Sequence, residues 1–182
     1  CYIMPNFLNR EQEDISRSLW EQKQRTGAKK PFMIGYFSGS PSHRNDFATI
    51  AEEVKDLLRE FHDIKLKIVG FMGLSAEFEL LKQQGKVLLV PLKHFRELQA
   101  EIAEVDVNLV PLLDNDFTNC KSELKFFEAG IVGTVTCAVP TYTYRNIIVP
   151  GVNGYLCGPG EWYPTIKELY LNGIDQKVVE QA

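Results

Sequence analysis

The 182 residues are enough for one domain of ordinary size with a substantial core. The apolar fraction of 45% and the charged fraction of 24% match an average globular protein. The net charge of −4 provides no basic field, which argues against a nucleic-acid partner. Any anionic ligand must therefore be held by locally placed groups.

The cysteines and histidines do not predict a metal site, because no two cysteines form a CxxC pair and the three histidines are scattered. Cys137 and Cys157 lie in apolar stretches, which predicts buried thiols in a reducing compartment. The first residues do not predict a signal peptide, and no apolar run approaches the ~18 residues that span a bilayer. We therefore expect it in the cytoplasm. Because the sequence begins without Met, we also expect it to be a fragment of a longer protein.

Residues 1–30 are mixed in composition, and we expect an interdomain linker with one polar helix at 10–23. Residues 31–182 alternate between short apolar runs and amphipathic segments. The apolar runs predict six strands, at residues 32–37, 65–70, 86–90, 105–111, 134–139 and 154–157. The amphipathic segments predict helices at 46–61, 76–84, 95–103, 122–132 and 161–171, with a polar loop at 114–119.

Strands that alternate with helices predict a parallel sheet joined by right-handed crossovers. The strands are continuously apolar, as is typical when helices cover both faces of the sheet. The predicted fold is therefore an α/β, doubly wound, Rossmann-like sandwich of about six parallel strands. Such sheets bind ligands at the carboxyl ends of their strands. That edge gathers four loops into one crevice, at residues 38–45, 71–74, 114–121 and 141–145.

The loop after the first strand is one candidate for anion binding, since small residues let the backbone approach a ligand and the loop leads into a helix N-terminus. Its candidate contacts are Gly39, Ser40, His43 and Arg44. The alternative is an ordinary connection with Ser42 or Asp46 as helix cap and Arg44 in solvent. The loop contains neither GxGxxG nor GxxxxGK[ST], so neither a dinucleotide fingerprint nor a P-loop is supported.

The segment at residues 121–128, KSELKFFE, is the second candidate. Lys121 and Ser122 stand at a predicted helix start, where an ammonium, a hydroxyl and backbone amides suit a diphosphate. Glu128 follows on the same helix, and its carboxylate can accept hydrogen bonds from the two hydroxyls of a ribose. Spacings of four and three place Lys121, Lys125 and Glu128 on one helical face. The alternative is an ordinary Glu–Lys ladder on the protein surface.

Three segments resemble retaining glycosyltransferases of family 4, and in particular a bacterial branch with a "KSELKxFEA" motif. They are GYFSGS at residues 35–40, DFA at 46–48 and KSELKFFEA at 121–129. VNLVPL at 107–112, GVNGYL at 151–156 and Trp162 fit the same pattern. IMPN at 3–6 resembles the segment that joins the two domains of such enzymes.

This resemblance implies the C-terminal half of a GT-B fold, which holds a nucleotide-diphosphate sugar and transfers the sugar with retention and without a metal or other cofactor. Glu128 matches the second glutamate of the family's E-x7-E motif, which implies ribose binding, and Cys120 stands in place of the first. Further implied donor contacts are Glu123 within the motif and, at the crevice mouth, Tyr142, Tyr144 and Arg145.

The resemblance also implies a partner domain that binds the acceptor, a glycan or a lipid-linked molecule in polysaccharide biosynthesis. That N-terminal domain is missing from these residues, so we expect the isolated chain to be inactive. Peripheral contact with the inner face of the cytoplasmic membrane is expected through the missing half.

The sequence suggests two alternative functions. Cys120 in place of the first motif glutamate favours a non-catalytic nucleotide-binding or scaffold module that retains only the fold. A flavodoxin-like receiver is disfavoured, because Tyr36 and Phe37 stand where it would carry paired acidic residues.

Overall fold

The computed structural model describes residues 6–26, 31–40 and 43–182, apart from the side chains of Thr26, His43 and Arg44. The strands are β1 Phe32–Ser38, β2 Ile64–Gly70, β3 Val87–Val90, β4 Val107–Val110, β5 Val135–Ala138 and β6 Tyr155–Leu156. The helices are α1 Arg10–Thr26, α2 His43–Ala48, α3 Ala51–Glu60, α4 Ala76–Gln83, α5 Phe95–Ala103, α6 Asp116–Asn119, α7 Leu124–Gly130, α8 Tyr142–Ile147, α9 Trp162–Asn172 and α10 Gln176–Gln181.

The six strands form one parallel sheet in the order β3-β2-β1-β4-β5-β6. Tyr36 of β1 is in register with Ile68 of β2 on one side and Leu109 of β4 on the other. The predicted doubly wound, Rossmann-like α/β fold is thus confirmed. The strand order reverses between β1 and β4, and the loops after these two strands diverge to open the crevice where such sheets bind ligands.

Helices cover both faces of the sheet, and each face has its own core. Successive strand residues point to opposite faces, so Tyr36 and Phe37 belong to different apolar clusters. Tyr36 packs with Phe47 of α2, their ring centroids 4.8 Å apart. Phe37 packs with residues of α5 and α7. Burial on both faces explains why the strands read as continuous apolar runs.

Helix α1 packs against the amino end of the sheet. The Lys23 ammonium donates hydrogen bonds to the carbonyl oxygens of Val105, at 3.0 Å, and Gly133, at 2.8 Å. Gly133 has a φ of +67°, and a Cβ there would overlap the Trp20 ring. The polar helix predicted at 10–23 is therefore present and docked. The proposed division of the chain at residue 30 stays a prediction, because residues 27–30 lie outside the described ranges.

Several predicted boundaries differ from the observed ones. The helix predicted at 46–61 is two helices, because the Thr49 hydroxyl donates to the Asp46 carbonyl oxygen at 2.7 Å and the backbone turns there. The loop predicted at 114–119 contains α6, which Asn115 and Thr118 start with a capping box. Helix α7 begins at Leu124, two residues later than predicted, and α10 follows the last predicted helix.

Among the helices in the described part of the chain, none combines the length and the apolar character required to cross a membrane.

Candidate functional site

The loops after β1 and β2 are held together at the floor of the crevice. The Ser38 hydroxyl donates to the Phe71 carbonyl oxygen at 2.6 Å, and the backbone N–H of Phe71 donates to the Ser38 carbonyl oxygen at 3.1 Å. Gly70 makes this approach possible, since its φ is +103° and a Cβ would overlap the Ser38 oxygen. The crevice therefore starts from a rigid backbone junction.

Beyond this junction lie two described residues of the candidate phosphate loop, Gly39 and Ser40. Gly39 is exposed, with no described atom within 4 Å of where a Cβ would lie, and Ser40 is half-buried. His43 and Arg44 begin α2, but their side chains lie outside the described structure, as do residues 41–42. The phosphate contacts predicted for Gly39, Ser40, His43 and Arg44 therefore stay predictions.

Asp46 ties α2 to the loop that follows β4. Its side chain is buried, and Oδ1 accepts a hydrogen bond of 3.0 Å from the backbone N–H of Leu113. The pKa of Tyr36, on the neighbouring strand, is raised by burial and further by the Asp46 carboxylate. Asp46 lies inside α2 and not at its N-cap, and its carboxylate connects this helix to the loop that follows β4.

Lys125 reaches from α7 to the carboxyl end of β1. Its ammonium donates a 2.7 Å hydrogen bond to the Phe37 carbonyl oxygen and lies 5.6 Å from the centroid of the Tyr36 ring. Burial, and secondly the nearby Lys121 ammonium, lower the pKa of Lys125 to about 8. This side chain points into the crevice, so the interpretation of Lys125 as part of a surface ladder is wrong.

Glu128 lies three residues later on the same helix and is half-buried. Burial raises the pKa of its carboxyl to about 6, and the Lys125 charge opposes the rise. Within residues 6–26, 31–40 and 43–182 its carboxylate forms neither a hydrogen bond nor an ion pair. A half-buried carboxylate with unused acceptors is suited to a ligand that carries hydroxyl groups.

Lys121, Ser122 and Glu123 precede α7 and are all half-buried. The Lys121 ammonium lies 5.2 Å from the centroid of the Phe117 ring, and its backbone N–H donates to the Thr118 carbonyl oxygen at 3.1 Å. Ser122 Oγ accepts from Asn6 Nδ2 at 2.7 Å. The Lys121 amide is therefore engaged, and the side chains of this segment add an ammonium and a hydroxyl group as donors for a ligand.

A cavity of about 220 Å³ lies between the start of α7 and α8. Its lining residues are Leu112, Lys121, Ser122, Leu124, Lys125 and Tyr144. Tyr144 is buried, and the pKa of its hydroxyl is raised by burial and then by the charges of Glu123 and Glu128. The polar side chains that line the cavity are thus two lysines and two hydroxyl groups.

Tyr142 lies outside this cavity, with 71% of its surface exposed. Its backbone N–H donates to Asn119 Oδ1 at 2.7 Å, which joins the start of α8 to α6. The Tyr142 side chain is therefore exposed to solvent at the start of α8. Donor contact by Tyr142 stays a prediction.

The three described cysteines differ in environment. Cys137 and Cys157 are fully buried, which confirms the prediction of buried thiols, whereas Cys120 is exposed beside Lys121. Among the described side chains, no three His, Cys, Asp or Glu residues come together as a metal-binding group.

Two residues of the candidate site are absent from the predicted set. The sequence places Lys125 on the right helical face without a role and offers Asp46 only as a cap, whereas it groups Tyr144 with Tyr142 and Arg145 as a donor contact. A charged residue inside the apolar run LKFF is the signal that could have identified Lys125, since such a position requires a buried partner.

No protein-family model matches the sequence, and no curated protein matches it. Solved structures do. The C-terminal domain of LpcC, a glycosyl transferase group 1 family protein from Francisella tularensis, matches with a TM-score of 0.59 at 16% identity, over 97% of this chain and 90% of that one. WaaG, a glycosyltransferase involved in lipopolysaccharide biosynthesis, matches with a TM-score of 0.60 at 19% identity, over 99% of this chain.

HepE from Anabaena, in complex with UDP-glucose, matches with a TM-score of 0.62 at 16% identity, over 93% of this chain. The chain spans about half of the length of HepE and WaaG, covering 48% and 49% of them. At these identities the likeness concerns the fold, which is that of the C-terminal domain of GT-B glycosyltransferases.

Proposed function

We propose that this chain is the donor-binding domain of a retaining glycosyltransferase of family 4, in the "KSELKxFEA" branch, which binds a nucleotide-diphosphate sugar at the carboxyl edge of its sheet. The observation that carries the proposal is Glu128, a half-buried carboxylate without a partner among the described residues, three positions from the half-buried Lys125. The fold shared with LpcC, WaaG and HepE supports it.

In this proposal the Glu128 carboxylate accepts hydrogen bonds from the vicinal hydroxyls of the ribose. Lys121 and Ser122 contact the diphosphate where it joins the sugar, with Gly39, Ser40, His43 and Arg44 on its other side. Lys125, held against the Phe37 carbonyl oxygen, adds positive potential without needing to move. As the bond to the sugar breaks, negative charge accumulates on the nucleoside diphosphate, and these groups stabilise it.

This half of the enzyme needs no nucleophile and no metal for that role. The acceptor, a glycan or a lipid-linked molecule, is bound by a second domain that would close over the crevice. We therefore expect the 182-residue chain to bind donor without transferring sugar.

The test is calorimetric titration of UDP, GDP and dTDP into the chain, with Glu128→Gln as the variant. Removing hydrogen bonds to a charged group weakens binding by about 1.5–3 kcal/mol, or at least tenfold. Glu168→Gln, an exposed change on α9, is the matched control and should leave affinity unchanged. Failure of all three nucleotides to saturate, or equal affinities for Glu128→Gln and the native chain, would refute the proposal.

A second candidate function is a non-catalytic nucleotide-binding module, which the exposed Cys120 in place of a motif glutamate favours. Joining the chain to its N-terminal domain and assaying hydrolysis of the nucleotide sugar separates the two. Binding without any hydrolysis or transfer by the complete protein would favour the module.

A further inference from the structure

The cavity between α7 and α8 carries an excess of hydrogen-bond donors over acceptors. Two ammonium groups, those of Lys121 and Lys125, belong to its lining, and no carboxylate does. Neither lysine forms an ion pair with another described residue. The two charges lie close enough for Lys121 to disfavour the charged form of Lys125. The Asp46 and Glu128 carboxylates act on Lys125 in the opposite direction, but neither lines the cavity, so an anion inside it would complete the pair.

The two hydroxyl groups of the cavity are also able to donate hydrogen bonds to a ligand. The Tyr144 hydroxyl forms no hydrogen bond to the rest of the described chain, and Ser122 accepts from Asn6, which leaves its own proton free to be donated. The carboxylates of Asp46, Glu123 and Glu128 lie near but do not line the cavity. Its interior therefore presents donors to a ligand.

The volume of the cavity and its distance from Glu128 indicate which part of the donor would occupy it. A volume of about 220 Å³ is room for roughly seven waters, at ~30 Å³ each, which suits a single sugar ring. Leu124 at the cavity and Glu128 at the expected ribose are four residues apart on α7, or about 6 Å along the helix. A diphosphate bridges a gap of this order, so the sugar lies at the cavity end.

We infer that the sugar of the donor is itself anionic, a uronic acid whose carboxylate is bound in this cavity by Lys121 and Lys125 with the hydroxyls of Ser122 and Tyr144. The inference rests on the proposed function and narrows it to one substrate class. The other source of an anion at this place is the diphosphate of the donor, and the experiment must distinguish the two.

UDP-glucose and UDP-glucuronate form a matched pair, because they differ only in a hydroxymethyl group against a carboxylate at C6. Titrated into the chain beside UDP alone, the uronate is expected to bind at least tenfold more tightly than the glucose compound. The preference should shrink as salt is raised from 50 to 500 mM, since it is electrostatic. GDP-mannose and GDP-mannuronate replace the pair where GDP is the tighter nucleotide.

The quantity to compare is the ratio of the affinity for the uronate to the affinity for the glucose compound. A variant that changes only the binding of the diphosphate changes both affinities by the same factor and leaves this ratio unaltered. Lys121→Met is expected to reduce the ratio to about one, and Tyr144→Phe to reduce it several-fold. Lys82→Met removes an exposed lysine of α4 at the far edge of the sheet and should leave the ratio unchanged. Tyr144→Phe keeps the core filled, so it decides the matter if Lys121→Met does not fold.

Equal affinities for the two sugars, or tighter binding of the neutral one, would overturn the inference while the proposed function stands. So would a Lys121→Met variant that weakens UDP and both sugar nucleotides by the same factor, since the lysine then serves only the phosphates. Absence of binding by every nucleotide would remove the proposed function and this inference together.

Discussion

The ammonium of Lys125 and the carbonyl oxygen of Phe37 join α7 to the carboxyl end of β1 across 2.7 Å. This contact crosses the point where the strand order reverses, so the two sides of the crevice are connected by a charged group. Removing the ammonium of a lysine from water at that position carries a desolvation penalty, which is unfavourable for folding. A buried ionisable group that a fold does not need for packing is a marker of a functional site.

Replacement of Lys125 by Met should change how stability depends on pH. The pKa of Lys125 is about 8 in the folded chain and 10.5 when unperturbed. Between these values the unfolded chain binds more protons, so the free energy of unfolding rises with pH, by about 1–3 kcal/mol. Urea unfolding from pH 7.5 to 10.5 should show this rise in the native chain and its loss in Lys125→Met. Lys82→Met should retain it, and equal profiles for all three proteins would contradict the assignment.

Glu128→Gln should remove a pH-dependent change in the free energy of unfolding that is opposite in sign to the change caused by Lys125. The carboxyl pKa is about 6 when folded and 4.5 when unperturbed. Between these values the folded chain binds more protons, so the free energy of unfolding falls as pH rises from 4.5 to 6, by roughly 1–2 kcal/mol. Glu128→Gln is therefore expected to be more stable than the native chain above pH 6. Chemical unfolding at pH 4.5 and pH 6.5 measures this change in the free energy of unfolding. Glu168→Gln should have the same stability and the same pH dependence as the native chain.

Asp46→Ala should destabilise the chain by about 1–3 kcal/mol, because the hydrogen bond from the Leu113 N–H to the buried Asp46 carboxylate is lost. Asp46→Asn keeps an oxygen that can accept the same hydrogen bond and should recover much of that loss. Asp56→Ala changes an exposed carboxylate on α3 and should alter the free energy of unfolding by under ~0.5 kcal/mol. Urea midpoints order the three variants, and a loss for Asp46→Asn equal to that for Asp46→Ala would argue against the hydrogen bond.

Gly70→Ala should be far more destabilising than Gly85→Ala, although both glycines have positive φ values, of +103° and +73°. At Gly85 nothing lies within 4 Å of the added Cβ, so the penalty is the backbone strain alone, of order 1–2 kcal/mol. At Gly70 the Cβ also overlaps the Ser38 carbonyl oxygen, which forces β1 and β2 apart. Thermal unfolding compares the two, and similar melting temperatures would contradict the close approach.

The fold could be predicted because its signals are local and repeated. Six apolar runs and the stripes between them located every described strand of the sheet to within a few residues, since strands buried on both faces are mostly apolar, with Lys67 and Asn108 as buried exceptions. Boundaries set by one side-chain hydrogen bond were missed. Thr49 ended a helix by bonding to Asp46, and Asn115 started one, and neither event alters the apolar pattern.

The site was harder to predict, because its members come from distant parts of the chain. The 121–128 segment was identified as a unit, yet the partner of Lys125 is 88 residues earlier in the sequence and is a backbone oxygen. No sequence motif marks a carbonyl group as an acceptor. The contact between Asp46 and Leu113 likewise joins a side chain to a backbone group that is distant in the sequence. Such contacts depend on strand order, which the apolar pattern alone does not specify.

The unequal exposure of the cysteines gives this chain a built-in chemical reporter. Cys120 is open to solvent one residue before Lys121, whereas Cys137 and Cys157 are sealed in the core. In a Cys1→Ser background, a thiol-reactive fluorophore would therefore attach at the rim of the crevice while the two core thiols stay protected. One labelling reaction would then follow both ligand arrival, through the dye at Cys120, and global opening, through delayed modification of the other two.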